Sequence, residues 1–469
     1  MPLILSGNVA TATAATTYDV ANSVRFNGAD SPALKRNSMG TATNRKKWTL
    51  SMWVKRSTTD QRMLASFDGA KSYFQFQSGG QLEINDVPGS SFNYRLVTNA
   101  IYRDITSWMH IVVAYDSTQG TDTNRIKLYV NGEQPSLGTA TYPDQNFEPE
   151  VNSTGSHKYG SYDDSTDFAF DGYFAEIVFI DGTQYQASDF GEFDEDSPRI
   201  WKPKDPSGLT FGTNGHYLDF ETSGTLGNDA NGGTDFDANN LVALDQMTDT
   251  PTNNFATLNP LFTPTTSTCS DGNLTLDDPG SGWSWKPSTI CPSKGKWYFE
   301  VKSGNGSDPI YVVIGVTPQQ SWPDMEDEVI GAGANSEAES VGMGHSGNVV
   351  KGNSTQYTSS SFSHTDIFCC AVDLDNRKIY FRKNGDAWLN SGNPTSGATG
   401  TGAVSLSTTI NDWALCCSGT QKTFINYGGG CNFTISSGNA DGNGYGNFEF
   451  APPSGYLALC TKNLGSDGG

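Results

Sequence analysis

Basic residues are scarce in this chain. Its 469 residues hold 29 lysines and arginines against 51 aspartates and glutamates, a formal net charge of −22. Nucleic-acid affinity rests on Lys and Arg neutralising phosphates and releasing counterions, so this deficit argues against DNA or RNA as a partner. Long apolar runs are missing as well. No stretch approaches the roughly twenty residues that span a bilayer, and Met1-Pro-Leu-Ile-Leu5 is short and lacks the basic flank of a secretory signal. A soluble chain with no membrane insertion and no secretory address is expected. Cysteine is absent before position 269, and none of the eight sits in a C-x-x-C pattern, which leaves out the common zinc and dithiol motifs. Cys369-Cys370 and Cys416-Cys417 are adjacent pairs inside apolar runs. Strand geometry sends such neighbours to opposite faces, so buried free thiols are expected. Histidine occurs only at positions 110, 157, 216, 345 and 364, and no H-E-x-x-H, P-loop or dinucleotide fingerprint is present.

Glycine, by contrast, reaches 52 residues and aromatics 12%, while charged residues of both signs make up 17%. This is the profile of β-structure with many tight turns. The stretch 366–388, DIFCCAVDLDNRKIYFRKNGDAW, carries the pattern best. A short apolar run ends in the turn-forming cluster Asp373-Leu374-Asp375-Asn376, and Lys378-Ile-Tyr-Phe-Arg382 then alternates at period two, which predicts a hairpin. Asn384-Gly385 accepts positive φ, so a third strand is expected to follow. Residues 108–116 and 125–132 repeat the same grammar. Further strands are predicted over 24–26, 48–56, 63–67, 73–76, 82–84 and 170–180, and again over 296–302, 310–316, 413–418 and 455–459. Trp48 and Trp53, five residues apart, belong on opposite faces of their strand.

No helical stripe interrupts these strands, so the fold class is all-β, with two antiparallel β-sandwich domains over 22–184 and 261–469. Residues 1–21, dominated by Ala, Thr, Ser and Asn, are predicted to form an N-terminal arm that adds as an extended strand to a neighbouring subunit. Residues 185–260 read as an ordered connector rather than a flexible linker. Trp201, Phe211, Tyr217, Phe220 and Phe236 give it apolar anchors, and 217–220 is its one clear strand.

The order Trp48-Thr-Leu-Ser-Met-Trp-Val, Trp108-Met-His-Ile-Val-Val-Ala-Tyr-Asp, Ile126-Lys-Leu-Tyr-Val-Asn-Gly and Phe170-Asp-Gly-Tyr-Phe-Ala-Glu-Ile resembles the laminin-G and concanavalin-A-like jelly-roll superfamily. That resemblance implies glycan or protein binding, often with Ca²⁺ at one rim. No individual calcium ligand can be matched here, so no cofactor is assigned and calcium stays open. Gly295-Lys-Trp-Tyr-Phe-Glu-Val301, Ile314-Gly-Val, Val341-Gly-Met and 371–385 resemble the SPRY domain. The implication is a sandwich that binds partners through loops at one end and has no generic catalytic function.

Candidate ligand-binding residues follow from exposed aromatics in such loops: Trp322 in QQSWPDMEDE and Tyr357 after Gly352. Trp283 and Trp285 are two more, since alternation puts both indoles on one face, where they either stack on sugar or cover a sheet. No catalytic residue is assigned. Glu192-Phe-Asp194-Glu-Asp196 has part of the E-x-D-x-E spacing of jelly-roll glycosidases, which need two flanking carboxylates. Its charged Glu195 and the Ser197-Pro198 that follows fit a backbone-capping loop instead. Gly344-His-Ser-Gly347 lacks the full nucleophile elbow, and Asp235-Phe-Asp237-Ala-Asn239 has only part of a calcium loop's spacing.

The phrases FIDGTQY, FGEFDEDSP, IWKPKDPSGLTFGTNGHYLDF and DTPTNNFATLNP resemble structural, tail-fibre-type proteins of marine tailed bacteriophages. The expectation is a non-enzymatic virion protein: a tail-fibre or receptor-binding adhesin that recognises host-surface glycan or protein. It would be homo-oligomeric and joined to other virion proteins through its arm. A capsid or tail decoration protein and an envelope depolymerase are the alternatives.

Overall fold

The structure, a computed structural model, describes residues 18–163, 167–262, 267–280, 282–319, 330–331 and 339–465. They fall into two compact units that divide between Thr252 and Asn253. Both are built of antiparallel sheets, as expected.

The first unit packs a seven-stranded on an eight-stranded sheet. Gly172–Asp181 and Lys47–Arg56 lie at the centre of the first sheet, flanked by Met109–Asp116, Ile126–Val130 and Ser23–Phe26. The second sheet runs Leu137–Thr141, Tyr94–Thr98, Leu82–Asp86, Ser72–Phe76, Arg62–Phe67, His157–Tyr159, Ala33–Arg36 and Asp237–Asn239. Alternate residues of both sheets meet in one core containing Trp48, Leu50, Phe74, Ile84, Ile111, Phe174 and Phe179. Trp48 stacks on Tyr115 with ring centroids 5.1 Å apart. Trp53, on the opposite face as its spacing requires, stacks on His110 at 4.6 Å.

Residues 185–252 fold as part of this unit. Ala187, Phe190, Phe211 and Tyr217, with Tyr185, Trp201 and Leu209 beside them, cover Val112, Ala114, Val178 and Ile180 on the outward face of the seven-stranded sheet. Phe220, Leu226 and Phe236 enter the main core. The return of the chain is fastened by polar contacts: Arg25 pairs with Asp245 at 2.9 Å, and buried Lys55 with Asp249 at 2.6 Å. Residues 18–21 join in too, although the sequence groups them with the arm. Val20 is buried and its N–H donates to Thr252 Oγ1. The remaining arm residues, 1–17, lie outside the described residues.

The second unit packs a seven-stranded against a six-stranded sheet. The hairpin predicted from 366–388 is Ile367–Asp373 paired with Lys378–Lys383, in register from Phe368 opposite Lys383 to Asp373 opposite Lys378. Asn384 adopts φ 52°, but no third strand follows at once. Its amide is occupied instead: Oδ1 accepts from the Ile367 N–H and Nδ2 donates to Asp366. The chain then passes through two short 3-10 turns before Val404–Ser405 pairs with Lys378 and Ile379. Residues 455–459 do not form the expected strand. After Pro452-Pro453 and a positive-φ Gly455 the chain makes a single parallel bridge, Leu457 to Trp297. Cys370 and Cys417 point into the main core while Cys369 and Cys416 point to the opposite faces, and none of the eight cysteines forms a disulfide.

Candidate functional site

With the outward face of the seven-stranded sheet covered by 185–252, the outward face of the eight-stranded sheet is where the first unit can present a site. Phe74, Phe76, Leu82, Ile84, Tyr94 and Leu96 face the core. Alternation therefore turns Tyr73, Gln75, Glu83, Asn85 and Arg95 outward. Register then groups them: Gln75 lies opposite Glu83, Tyr73 opposite Asn85, and Asn85 opposite Arg95. Strands about 4.8 Å apart bring these polar groups into one layer.

Glu83 is the centre of that layer. Its Oε1 accepts from Arg95 Nε at 2.6 Å and Asn85 Nδ2 at 3.3 Å, and its Oε2 from Gln75 Nε2 at 2.8 Å and Gln77 Nε2 at 2.7 Å. Glu83 is 2% exposed. Burial alone would raise its pKa, but the donors Arg95, Gln77 and Gln75 outweigh burial and hold the carboxyl below its ordinary range. Charge-assisted hydrogen bonds of this kind are the stronger ones. Aromatic rings border the layer. Phe92, 39% exposed, lies under the Arg95 guanidinium at 4.7 Å, and half-buried Tyr73 meets Tyr162 edge-on at 5.5 Å. Gln75, Glu83 and Asn85 are themselves buried and serve to hold Arg95 in place; what the layer presents to a sugar is the partly exposed Arg95 guanidinium, which can donate to hydroxyls, beside the exposed Phe92 ring, which can stack on a C–H face. Glu83 is the one carboxylate among these outward side chains, so they lack the carboxylate pair of a glycosidase.

The sequence-derived candidates fare differently. Trp322 lies outside the described residues. Trp283 and Trp285 do share a face, but it is a covered one: Trp285 is fully buried against Phe262, ring centroids 4.7 Å apart, and Trp283 is half-buried beside them. Trp285 therefore has no face to offer a sugar. Tyr357 packs its ring on the second core, its hydroxyl buried, so it too is turned inward rather than displayed. An aromatic that sequence reasoning passed over is displayed: Tyr311 is 43% exposed, edge-on to His345 at 4.9 Å. Nearby in sequence, His364 lies 3.4 Å from Asp308. The outward polar set was missed because it is spread over three strands; its signal is the alternation in YFQF, LEIND and YRLV.

Other chemistry suggested by sequence resolves into structure. Asp194 caps its own loop, accepting from the N–H groups of Asp196 at 3.0 Å and Ser197 at 2.8 Å. Asp237–Asn239 is an edge strand, and Asp235 accepts from the Asp229 N–H. Among the described residues no group of His, Cys, Asp and Glu is arranged to hold a metal ion. His110 approaches Ser51 Oγ at 2.8 Å through Nε2 and Trp201 Nε1 at 2.9 Å through Nδ1. An indole N–H only donates, so Nδ1 accepts and Nε2 carries the proton. The imidazole thus donates to Ser51, the reverse of what a base must do to activate a serine.

Two family models agree with this architecture. Residues 27–186 match the model of the concanavalin A-like lectin/glucanases superfamily, and residues 296–450 that of the SPRY domain. A search of curated proteins finds no match. Among solved structures, the chain is similar to the SPRY domain of human HERC1, at 17% identity over 32% of this chain and 87% of that one, with a TM-score of 0.25. A heptameric SAP-like pentraxin of Limulus polyphemus is matched at 16% identity over 36% and 80%, with a TM-score of 0.28. A candidate carbohydrate-binding protein of Bacteroides ovatus is matched at 15% identity and a TM-score of 0.33, over 47% of this chain and 59% of that one. The chain therefore carries a concanavalin A-like jelly roll and an SPRY domain, two folds that fit a binding or adhesin role.

Proposed function

We propose that this protein is a non-enzymatic adhesin that binds glycan on the outward face of its eight-stranded sheet. The observation that carries the reading is Glu83, buried yet ionised, with Arg95, Gln75, Gln77 and Asn85 all turned to it beside exposed Phe92. A layer so connected is pre-ordered, and binding then costs little side-chain entropy. The resemblance of its connector phrases to tail-fibre-type proteins of tailed bacteriophages supports a virion as the surface it serves and a host envelope as its target. Residues before Tyr18 would join it to neighbouring virion proteins in a homo-oligomer.

A glycan array with the full chain tests this. Arg95→Ala removes a charge-assisted contact and should weaken binding at least about tenfold, while Phe92→Ala, at an exposed position, should weaken it without disturbing the core. Wild-type binding by both variants would move the site elsewhere. Release of reducing ends from host polysaccharide would replace the adhesin with a depolymerase, and immunogold labelling of particles reports the location.

A further inference from the structure

What the polar layer of the eight-stranded sheet can offer a ligand is decided by which of its hydrogen-bonding atoms are already committed. The two oxygens of an ionised carboxylate have about four lone-pair sites between them, and Glu83 fills them with Arg95, Asn85, Gln75 and Gln77. Gln75 Oε1 accepts from Gln61, Asn85 Oδ1 is buried, and the half-buried Tyr73 hydroxyl is engaged by Asn85. The strand residues of the layer therefore spend their acceptors on one another. Arg95 is the exception on the donor side. Its Nε is spent on Glu83, but among the described residues neither of its Nη groups has a hydrogen-bond partner. The Arg95 side chain is 32% exposed while that of Glu83 is 2% exposed, so the free end of the guanidinium is the end that meets solvent.

Two contacts hold that guanidinium: the 2.6 Å hydrogen bond from Nε to Glu83, and the Phe92 ring, whose centroid lies 4.7 Å away. With Nε occupied, the two Nη groups remain as a planar fork, and a carboxylate presents two oxygens at the spacing such a fork matches. A sugar hydroxyl both donates and accepts, so a neutral sugar would find donors here without acceptors to match. A carboxylate only accepts. Glu83 offsets part of the Arg95 charge, but it is buried with its lone pairs filled, so an incoming anion meets N–H groups rather than carboxylate oxygens. The chain as a whole carries a formal charge of −22 and repels acidic polymers at long range, which makes a local, pre-oriented cation a requirement for binding one. Thr141, opposite Arg95 on the edge strand and exposed, leaves a hydroxyl for the neutral groups of the same ring.

We infer that the ligand of this face is an acidic glycan, its carboxylate held by the Nη fork of Arg95 and its ring set against Phe92. The inference rests on the glycan reading of the face and names the class of sugar. Because the fork is partly exposed, the contact is screened by salt, and binding weakens as ionic strength rises. Lysine in place of Arg95 would keep the charge but lose the planar pair of donors, so it would recover only part of the preference.

The experiment is an array of uronic-acid and sialic-acid glycans, each printed beside its methyl ester, together with sulfated neutral glycans, probed with the full chain. The free acids should be bound about tenfold more tightly than their esters, and the difference should shrink as sodium chloride is raised. Arg95→Gln should abolish the difference, and Arg95→Lys should keep only part of it. Equal binding of acid and ester that is still lost in Phe92→Ala would overturn the acidic ligand and leave the glycan site standing. Tighter binding of the sulfated glycans would overturn it too. Binding to no glycan, or binding indifferent to Phe92→Ala, would remove the site itself and the inference with it. If the Arg95 variants fail to fold, the ratio of acid to ester binding in the unaltered protein decides.

Discussion

His110, His157 and His216 are each at most 1% exposed, and burial keeps them neutral. It lowers His110 and His216 to about 3, and His157 well below its ordinary value, with neighbouring His216 and Arg36 adding to the shift. In an unfolded chain each would titrate near 6.5. Between that pH and about 5 the unfolded state binds more protons, so these imidazoles make the first unit less stable as pH falls, by about 1.4 kcal/mol per pH unit each. Glu176 works the other way. Raised to about 7, it contributes stability at low pH that is lost as pH rises through 7; Asp86, Glu150 and Asp229 are raised in the same direction but less, so one strongly shifted carboxyl stands against three strongly shifted imidazoles. The second unit has Glu300, likewise raised by burial to about 7, against a half-exposed His345 with a lowered pKa. Acidification from pH 7 to 5.5 should therefore destabilise the first unit relative to the second. Pulse proteolysis in urea, read on peptides from Gly172–Asp181 and Ile367–Asp373, should show the first midpoint falling further. A larger fall in the second would contradict the assignment.

Strands in this protein were legible where their own residues alternate, and hidden where they do not. Lys47–Arg56, Met109–Asp116 and Ile367–Asp373 announce themselves because one face, or both, must be apolar to sit in a sheet. Leu137–Thr141 and His157–Tyr159 do not, being an edge of small and polar residues and a three-residue piece held by its neighbours on both sides. Some strands also depend on what they lack. Gly315, in Val312–Pro318, has no room for a side chain, since a Cβ there would run into the Val341 carbonyl and Gly342 of the adjacent strand. Gly315→Ala should destabilise the second unit by about 1–3 kcal/mol, as overpacking does. The measurement is the urea midpoint of that unit; an unchanged midpoint would mean that the strands can separate without loss.

Across the whole molecule, no helix of the described residues is long and apolar enough to cross a membrane. The eight cysteines make a chemical prediction at the same scale. Burial raises the thiols of Cys269, Cys291, Cys369 and Cys460 to about 12, and those of Cys370, Cys416 and Cys417 in the same direction. Thiolate is the reactive form. A disulfide reagent should thus react slowly with the native protein and count close to eight thiols once it is denatured; a denatured count near zero would mean that the cysteines are paired.

The sequence by itself determined the β class, the two sandwiches in series and the opposite-facing cysteine pairs, because a period of two residues fixes which side chain goes to which face whatever the strand's neighbours. It also placed aromatics where ligands were expected, at Trp283, Trp285, Trp322 and Tyr357, and there local pattern ran out. Whether a face is open depends on what packs over it. Phe262, far from Trp285 in the chain, closes that indole off. Only the tertiary structure could decide that 185–252 covers one sheet of the first unit and leaves the polar layer to the other. Only it could gather Gln75, Glu83 and Arg95 into that layer, and Tyr18, Glu176 and Tyr217 into one hydrogen-bonded triangle. Register across strands, and contacts between residues as distant as Tyr18 and Tyr217, are set by how the core closes, and no stretch of sequence carries them alone.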